Sequence, residues 1–92
     1  MAYFAVFLQV ADSEVAKKYR EDHIEYVQRL CKEGKIHLVG KLHGAGGLIV
    51  FKAESKEEVE EWLHKDPFII HGARTYELYE WDMHTATQYI AK

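Results

Sequence analysis

The residues best suited to chemistry are a histidine and an aspartate that lie far apart in the chain. His23 falls within residues 13–32, where apolar side chains recur at helical spacing, and it occupies a position on the apolar side of that pattern. An imidazole placed there needs a hydrogen-bond partner, and a carboxylate would fix its tautomer and prepare it to exchange a proton near neutral pH. Asp66 precedes Pro67 after a second helical segment and is the candidate carboxylate. We therefore predict that His23 and Asp66 form a catalytic pair.

Each member of this pair also has a structural interpretation. A histidine at position 23 could be a core residue bonded to a backbone carbonyl or a tyrosine, and an aspartate before a proline is ordinary turn chemistry. The inferred topology adds a condition on the distance between the two residues. The second helix should end on the side of the sheet where the first begins, whereas His23 lies about 15 Å along the first helix from Ser13. Asp66 reaches the imidazole only if the helix tilts or the connecting loop brings that corner inward.

Three further side chains are candidates for substrate binding. Tyr19 and Tyr26 could stack on an aromatic ligand, although aromatic residues at helical spacing more often belong to the core. His71 follows the Asp66 corner and is the auxiliary candidate for the same opening. The histidines outside position 23 form neither a close helical pair nor a Cys/His cluster with metal-ligand spacing, so we expect no metal site.

Length and composition predict one compact domain. The chain has 92 residues, 48% of them hydrophobic, and its formal charge of −3 comes from interspersed charges of both signs, which argues against a nucleic-acid partner. The first ten residues are apolar but lack a positive leading segment and are too short to cross a membrane, so we expect a strand and no membrane partner. Cys31 is the only cysteine and excludes an internal disulfide. We therefore expect a cytoplasmic location, with Cys31 as a small buried thiol.

The periodicity and the turn residues predict the order of the elements. Residues 3–10 are an apolar strand, and residues 13–32 are a helix that Asp12 or Ser13 caps and Gly34 ends. Residues 36–43 and 48–53 form a hairpin around a glycine-rich turn, residues 55–63 a second helix with a capping box, and residues 74–81 a last strand. The order βαββαβ is the ferredoxin-like α+β arrangement, a four-stranded antiparallel sheet with both helices on one face. We assign residues 1–82 to this domain and residues 83–92 to a C-terminal tail.

The first strand predicts self-association. Its two alternating sets of side chains over residues 3–8 are both apolar, whereas helices on one side of the sheet can cover only one set. The other set would form an exposed apolar patch in a monomer. We therefore expect a homodimer in which the sheets of two chains pack face to face about a two-fold axis.

Five short sequence segments together resemble the YCII-related domain family over residues 3–81. In chain order they are HIEYV at 23–27, GKI at 34–36, VG at 39–40, GGLIVF at 46–51 and DPF at 66–68. The resemblance implies a dimeric α/β-barrel version of the fold, a cleft between helices and sheet, and an active-site pair at His23 and Asp66. It also implies a protein without a cofactor, and elimination or ring chemistry on hydroxylated, sometimes chlorinated, aromatic compounds. The chain differs at Lys41, where proteins of this type often have a proline after the glycine.

The leading functional hypothesis is a small enzyme that needs no cofactor and acts on a small, possibly hydroxylated aromatic molecule. His23 would be the general acid and base, and Asp66 would orient it and stabilise the imidazolium. Two alternatives remain open. One is a non-catalytic module that binds a small ligand or another molecule in the same cleft, and the other is a cofactor-free monooxygenase or isomerase.

Overall fold

The computed structural model describes residues 1–91 and confirms the predicted order of the elements. The four strands form one antiparallel sheet in the order β2-β3-β1-β4, so the two most apolar strands lie in the centre, as expected. The bounds are as follows: β1 Ala2–Val10, α1 Ser13–Lys32, β2 Ile36–Lys41, β3 Gly47–Ala53, α2 Lys56–Leu63, α3 Pro67–Ile70, β4 Arg74–Trp81 and α4 Ala86–Ile90.

The core lies between one face of the sheet and the two longer helices. Phe4, Val6 and Leu8 of β1 point into it and are buried, and so are Ile49 and Phe51 of β3. The helices close this layer with the apolar sides of α1 and α2, whose buried members in the core cluster are Tyr26, Val27, Leu30, Val59 and Leu63. Alternation along β1 therefore separates a helix-covered face from a second face, as strand geometry requires.

The second sheet face, which we call the open face, lies opposite α1 and α2, and Ala5 and Val50 of its two central strands are buried. It carries Phe7 of β1, Leu38 of β2, and Tyr79 and Trp81 of β4, which are 38%, 55%, 52% and 43% exposed. The edge of the Phe7 ring meets the Tyr79 ring at a centroid distance of 6.3 Å. A contiguous set of large apolar side chains is thus available on this face.

Local sequence features determine where the helices begin and end. The carboxylate of Asp12 accepts hydrogen bonds from the backbone N–H groups of Glu14 and Val15, which makes Asp12 the cap of α1. Ser55 caps α2 through the N–H of Glu58, but the Glu58 carboxylate accepts from Glu54 N rather than from Ser55 N. The expected capping box is therefore only half formed.

The structure also departs from the sequence-based expectation at two helix ends. Cys31 is exposed, so the expected buried thiol is wrong; Leu30 takes the inward position in the last turn of α1. The segment after α2 contains an additional short helix, α3, because Pro67 occupies its first turn, where no backbone N–H is needed.

Backbone hydrogen bonds join the start of α1 to the start of β4. The carbonyl of Ala73 accepts from the N–H groups of both Ala11 and Asp12, at 3.0 and 3.1 Å. This contact holds the first turn of α1 beside the loop that follows α3. Within residues 1–91, no helix combines the length and the apolar character needed to cross a membrane.

Candidate active site

The position of Asp66 follows from the chemistry of its own turn. Proline at position 67 disfavours helical geometry at the preceding residue, and Asp66 accordingly has an extended backbone, with φ −73° and ψ 125°. Its carboxylate caps α3 by accepting a hydrogen bond of 2.9 Å from the N–H of Phe68. The cap directs the carboxylate back toward α1 instead of toward solvent, and Asp66 is only 2% exposed.

His23 meets that carboxylate from the middle of α1. Its Nδ1 atom lies 2.8 Å from Oδ1 and 3.0 Å from Oδ2 of Asp66. A carboxylate accepts hydrogen bonds, so this contact places the ring proton on Nδ1 and leaves Nε2 as the acceptor in the neutral imidazole. The His23 side chain is 16% exposed, which gives it limited access to solvent.

Two stacked ring pairs hold α1 against α3 and the residue that follows it. The imidazole of His23 lies parallel to the Phe68 ring, at a centroid distance of 3.9 Å and an angle of 6°. One turn earlier on α1, Tyr19 stacks on His71 at 3.7 Å and 4°. Ring stacking of this kind restricts rotation of the imidazole and complements the hydrogen bond at Nδ1.

A cavity of about 560 Å³ opens between α1 and the end of the sheet near the β2–β3 loop. This volume is in the range of sites that hold small organic ligands. His23 lines the cavity, whereas Asp66 lies behind it and is absent from its wall. The aliphatic and aromatic part of the wall includes Val27, Val39, Ile49 and Phe68.

None of the three residues predicted to bind substrate is among those that line this cavity. Tyr19 and His71 are engaged with each other, and Tyr19 also packs against the small cluster around Phe68. The Tyr26 hydroxyl donates a hydrogen bond of 2.6 Å to the carbonyl of Trp62. Burial, and next the negative charge of Asp66, raise the pKa of Tyr26, so this hydroxyl remains a donor at neutral pH. A role in binding for these three residues stays a prediction.

The wall also contains residues that sequence reasoning did not select. Lys17 and Arg20 contribute from α1, Lys41 from the end of β2 and Arg74 from the start of β4. Helical spacing could have indicated Arg20, because it precedes His23 by three residues and shares its side of α1. No local signal indicates Arg74, which the sheet brings to the cavity. Lys41 stood out only through the resemblance, as the residue at a position where proteins of this type often have a proline. Within the described chain, no group of three histidine, cysteine or acidic side chains is arranged to hold a metal ion.

Comparisons with known proteins agree on one family and one fold. A family model described as YCII-related domain matches residues 1–82. A relative from Bacillus subtilis (strain 168), described as "Uncharacterized protein YjpA", is 28% identical over 82 residues, which are 88% of this chain and 96% of that protein. Among solved structures, the fold is similar to that of 5-chloro-2-hydroxyhydroquinone dehydrochlorinase (TftG) from Burkholderia phenoliruptrix AC1100, in complex with 2,5-dihydroxybenzoquinone. The TM-score is 0.76 at 20% identity, and the match covers 89% of this chain and 95% of that one.

Proposed function

The chain belongs to the YCII-related domain family, and from this premise we propose that it is a small-molecule enzyme in which His23 transfers protons. The observation that carries the proposal is the contact of 2.8 Å between His23 Nδ1 and the buried carboxylate of Asp66, at the wall of a cavity of ligand size. Because Asp66 engages Nδ1, Nε2 is the nitrogen left for a ligand. An oriented imidazole with one free nitrogen is the usual arrangement of a general base.

The reaction that we propose is an elimination or a related proton transfer on a small, possibly hydroxylated aromatic molecule. In such an elimination from a chlorinated hydroquinone, one ring hydroxyl loses its proton and the ring carbon that bears chlorine gains one, which gives a keto form. Nε2 then takes the proton of the second hydroxyl, a second carbonyl forms, and chloride departs with its bonding pair, so that HCl is lost overall. Asp66 stabilises the imidazolium, which then returns its proton to water. The steps balance without an oxidant or a reductant, so we propose that no cofactor takes part.

The choice of substrate class draws on the fold comparison. The similar structure is that of a dehydrochlorinase in complex with 2,5-dihydroxybenzoquinone. Chlorinated and hydroxylated hydroquinones are therefore the first compounds to screen. Under the alternative, a non-catalytic binding module, such compounds would occupy the cavity without being converted.

We also propose that two chains associate through the open face. Phe7, Tyr79 and Trp81 leave apolar area exposed on a sheet whose other side is already packed. Exposed apolar area of this kind favours association, and a two-fold dimer is its commonest closed form. In this arrangement residues 1–82 are the dimerising domain and residues 83–92 are a tail. We also propose a cytoplasmic location, with which the single cysteine agrees.

The direct test measures chloride release and absorbance changes with a panel of chlorinated and unchlorinated hydroquinones. His23→Asn retains a polar side chain but loses the titratable ring, so we expect turnover to fall by about 10²–10⁴-fold. Asp66→Asn should also slow turnover, because an amide cannot stabilise the imidazolium. His64→Asn makes the same chemical change at an exposed position outside the cavity wall and serves as the control.

The result has two opposing outcomes. Folded His23→Asn protein that turns over at the wild-type rate would overturn the assignment of the base. Saturable binding of the whole panel without any conversion would support the binding module instead.

A further inference from the structure

We propose that the ligand of this cavity is a small organic anion, an apolar ring that carries a carboxylate or phenolate oxygen. The inference rests on the proposed function and deepens it by naming the charge of the substrate. The geometry that points to it is the convergence of cationic side chains on the wall that His23 shares with Phe68.

The charge of the wall is opposite to that of the whole chain. The sequence has 15 acidic and 12 basic residues, excluding histidine. Nevertheless, Lys17, Arg20, Lys41 and Arg74 line the cavity, and no aspartate or glutamate is among the described residues that do so. Clefts lined by charges of one sign concentrate ions of the other sign. An anion is therefore attracted to this part of the surface of a protein that is negative overall.

Most of these cations have no ion-pair partner among residues 1–91. Lys17 lies 3.3 Å from Glu14, and both side chains are largely exposed. Within residues 1–91, Arg20, Lys41 and Arg74 form no salt bridge. The carboxylate nearest to the chemistry, that of Asp66, is buried and already engaged with His23. The positive charge at the wall is therefore available to a ligand.

Arg74 is the cation most closely associated with the base. Its guanidinium carbon lies 4.9 Å from the centroid of the Phe68 ring, and His23 stacks on that same ring. One guanidinium nitrogen donates a hydrogen bond of 3.3 Å to the carbonyl of Ala73, and the side chain is half-buried. A guanidinium has five N–H donors, so it retains the donors needed to bind a carboxylate with two hydrogen bonds. The stacked position also limits its motion before a ligand arrives.

The rest of the wall indicates the body of the ligand. Val27, Val39 and Ile49 offer aliphatic surface, and Phe68 offers a ring. Gly47, which pairs with Leu8 and so faces the helix side of the sheet, presents backbone without a side chain to the cavity. A charged oxygen at the cations and an apolar ring against this surface would satisfy both parts of the wall.

This arrangement also suits the proposed reaction. When His23 removes a proton from a hydroxylated ring, negative charge develops on the substrate oxygens. A positioned cation stabilises this additional charge more in the transition state than in the ground state, where it has not yet developed. Arg74 would therefore contribute to turnover as well as to binding.

The test compares ligands that differ in charge alone. The full chain is titrated with 2,5-dihydroxybenzoate and 2,5-dihydroxybenzamide, and with 4-chlorobenzoate and 4-chlorobenzamide, while backbone amide shifts are followed by NMR. We expect each benzoate to bind at least about tenfold more tightly than its amide, with shifts around His23 and Gly47, and to weaken as salt is added.

Matched variants identify the cations that cause the preference. Arg74→Gln should lower benzoate affinity by about tenfold or more and leave benzamide affinity nearly unchanged. Lys41→Gln, at an exposed position of low folding risk, should lower it by about two- to fivefold. Arg29→Gln removes the same charge from α1 outside the cavity wall and should leave both affinities unchanged.

The outcomes separate this inference from the proposed function. Equal binding of benzoates and benzamides, no benzoate binding up to about 10 mM, or full benzoate affinity in folded Arg74→Gln and Lys41→Gln would overturn the inference. Turnover that requires His23 but prefers uncharged compounds would support the proposed function and contradict the anionic ligand. Selective benzoate binding together with turnover that does not depend on His23 would support the anionic ligand and contradict the proposed role of His23.

Discussion

His23 and Phe68 are joined twice, once through their rings and once through a shared carboxylate oxygen. The rings stack at 3.9 Å, and both His23 Nδ1 and the Phe68 N–H contact Oδ1 of Asp66, at 2.8 and 2.9 Å. The same aspartate therefore ends one turn, begins α3 and orients the imidazole. A substitution of Asp66 therefore changes both the start of α3 and the orientation of the His23 ring.

Removal of the Asp66 carboxylate should cost more stability than removal of an ordinary helix cap. Asp66→Ala loses the cap of α3 and leaves a half-buried imidazole without its partner, so we expect a loss of about 2–4 kcal/mol in the free energy of unfolding. Asp12→Ala removes the exposed cap of α1 alone and should cost about 0.5–2 kcal/mol. Urea denaturation of both variants measures the difference.

A double-mutant cycle isolates the contact itself. His23→Asn combined with Asp66→Asn should show a coupling of about 0.5–3 kcal/mol relative to the single variants. Strict additivity would mean that the two side chains do not stabilise each other.

Gly46 should tolerate no side chain, because the β2–β3 loop crosses the end of β1 there. A Cβ added at Gly46 would overlap the carbonyl oxygen of Leu8, and this neighbour is backbone that cannot rotate away. We expect Gly46→Ala to lower the free energy of unfolding by about 1–3 kcal/mol and to disturb the cavity wall. Gly40→Ala is the matched control, since nothing lies within 4 Å of its added Cβ. Similar melting temperatures for the two variants would contradict this close approach.

The hydroxyl of Tyr26 should stabilise the fold at neutral pH and lose that effect in alkali. Burial raises the pKa of Tyr26 above its ordinary value of 10.0, so folding favours the neutral phenol. The stabilisation is fully present below the unfolded-state pKa and declines as the pH rises through the folded-state pKa.

Comparison of wild type with Tyr26→Phe tests this dependence. At pH 7 the variant lacks the hydrogen bond to the Trp62 carbonyl and should be less stable by about 0.5–1.5 kcal/mol. Above about pH 10 this difference in stability should narrow. The Tyr26 phenol ionises in the unfolded wild type before it ionises in the folded state, which favours unfolding of the wild type and has no counterpart in the variant. Tyr19→Phe is the control at pH 7, since the Tyr19 hydroxyl makes no hydrogen bond within residues 1–91. A gap that widens in alkali would refute the assignment.

Self-association through the open face should depend on its central apolar side chains. Light scattering of the wild type at micromolar concentration should give twice the mass of one chain. Phe7→Glu places a charge at the middle of this face, opposite Glu77 of β4, and should yield a folded monomer. Ile70→Glu changes an exposed apolar residue on α3 and should remain dimeric. A monomeric wild type, or a Phe7→Glu protein that stays dimeric, would rule out this interface.

Local sequence patterns predicted much of the fold. The apolar run of β1, the 20-residue helix that Asp12 caps and the turn residues around the hairpin each have a short-range physical cause. Their order then leaves few ways to bury the apolar faces, which is why the βαββαβ arrangement could be predicted. The prediction for Cys31 was wrong because neighbouring helical residues point about 100° apart. At the end of a helix, a shift of one position therefore exchanges the core-facing side for the solvent-facing side.

The candidate site divides along the same line. The sequence by itself determined that an imidazole lies on the apolar side of α1 and that Asp66 occupies a proline-restricted turn, since both depend on neighbours in the chain. Only the tertiary structure decided that α1 leans on α3, so that these groups, 43 residues apart, come within 2.8 Å. It also decided that Lys41 and Arg74 reach the wall that His23 shares. Contacts of this kind depend on how the helices and the sheet pack against each other. The periodicity of a short stretch of sequence does not specify that packing.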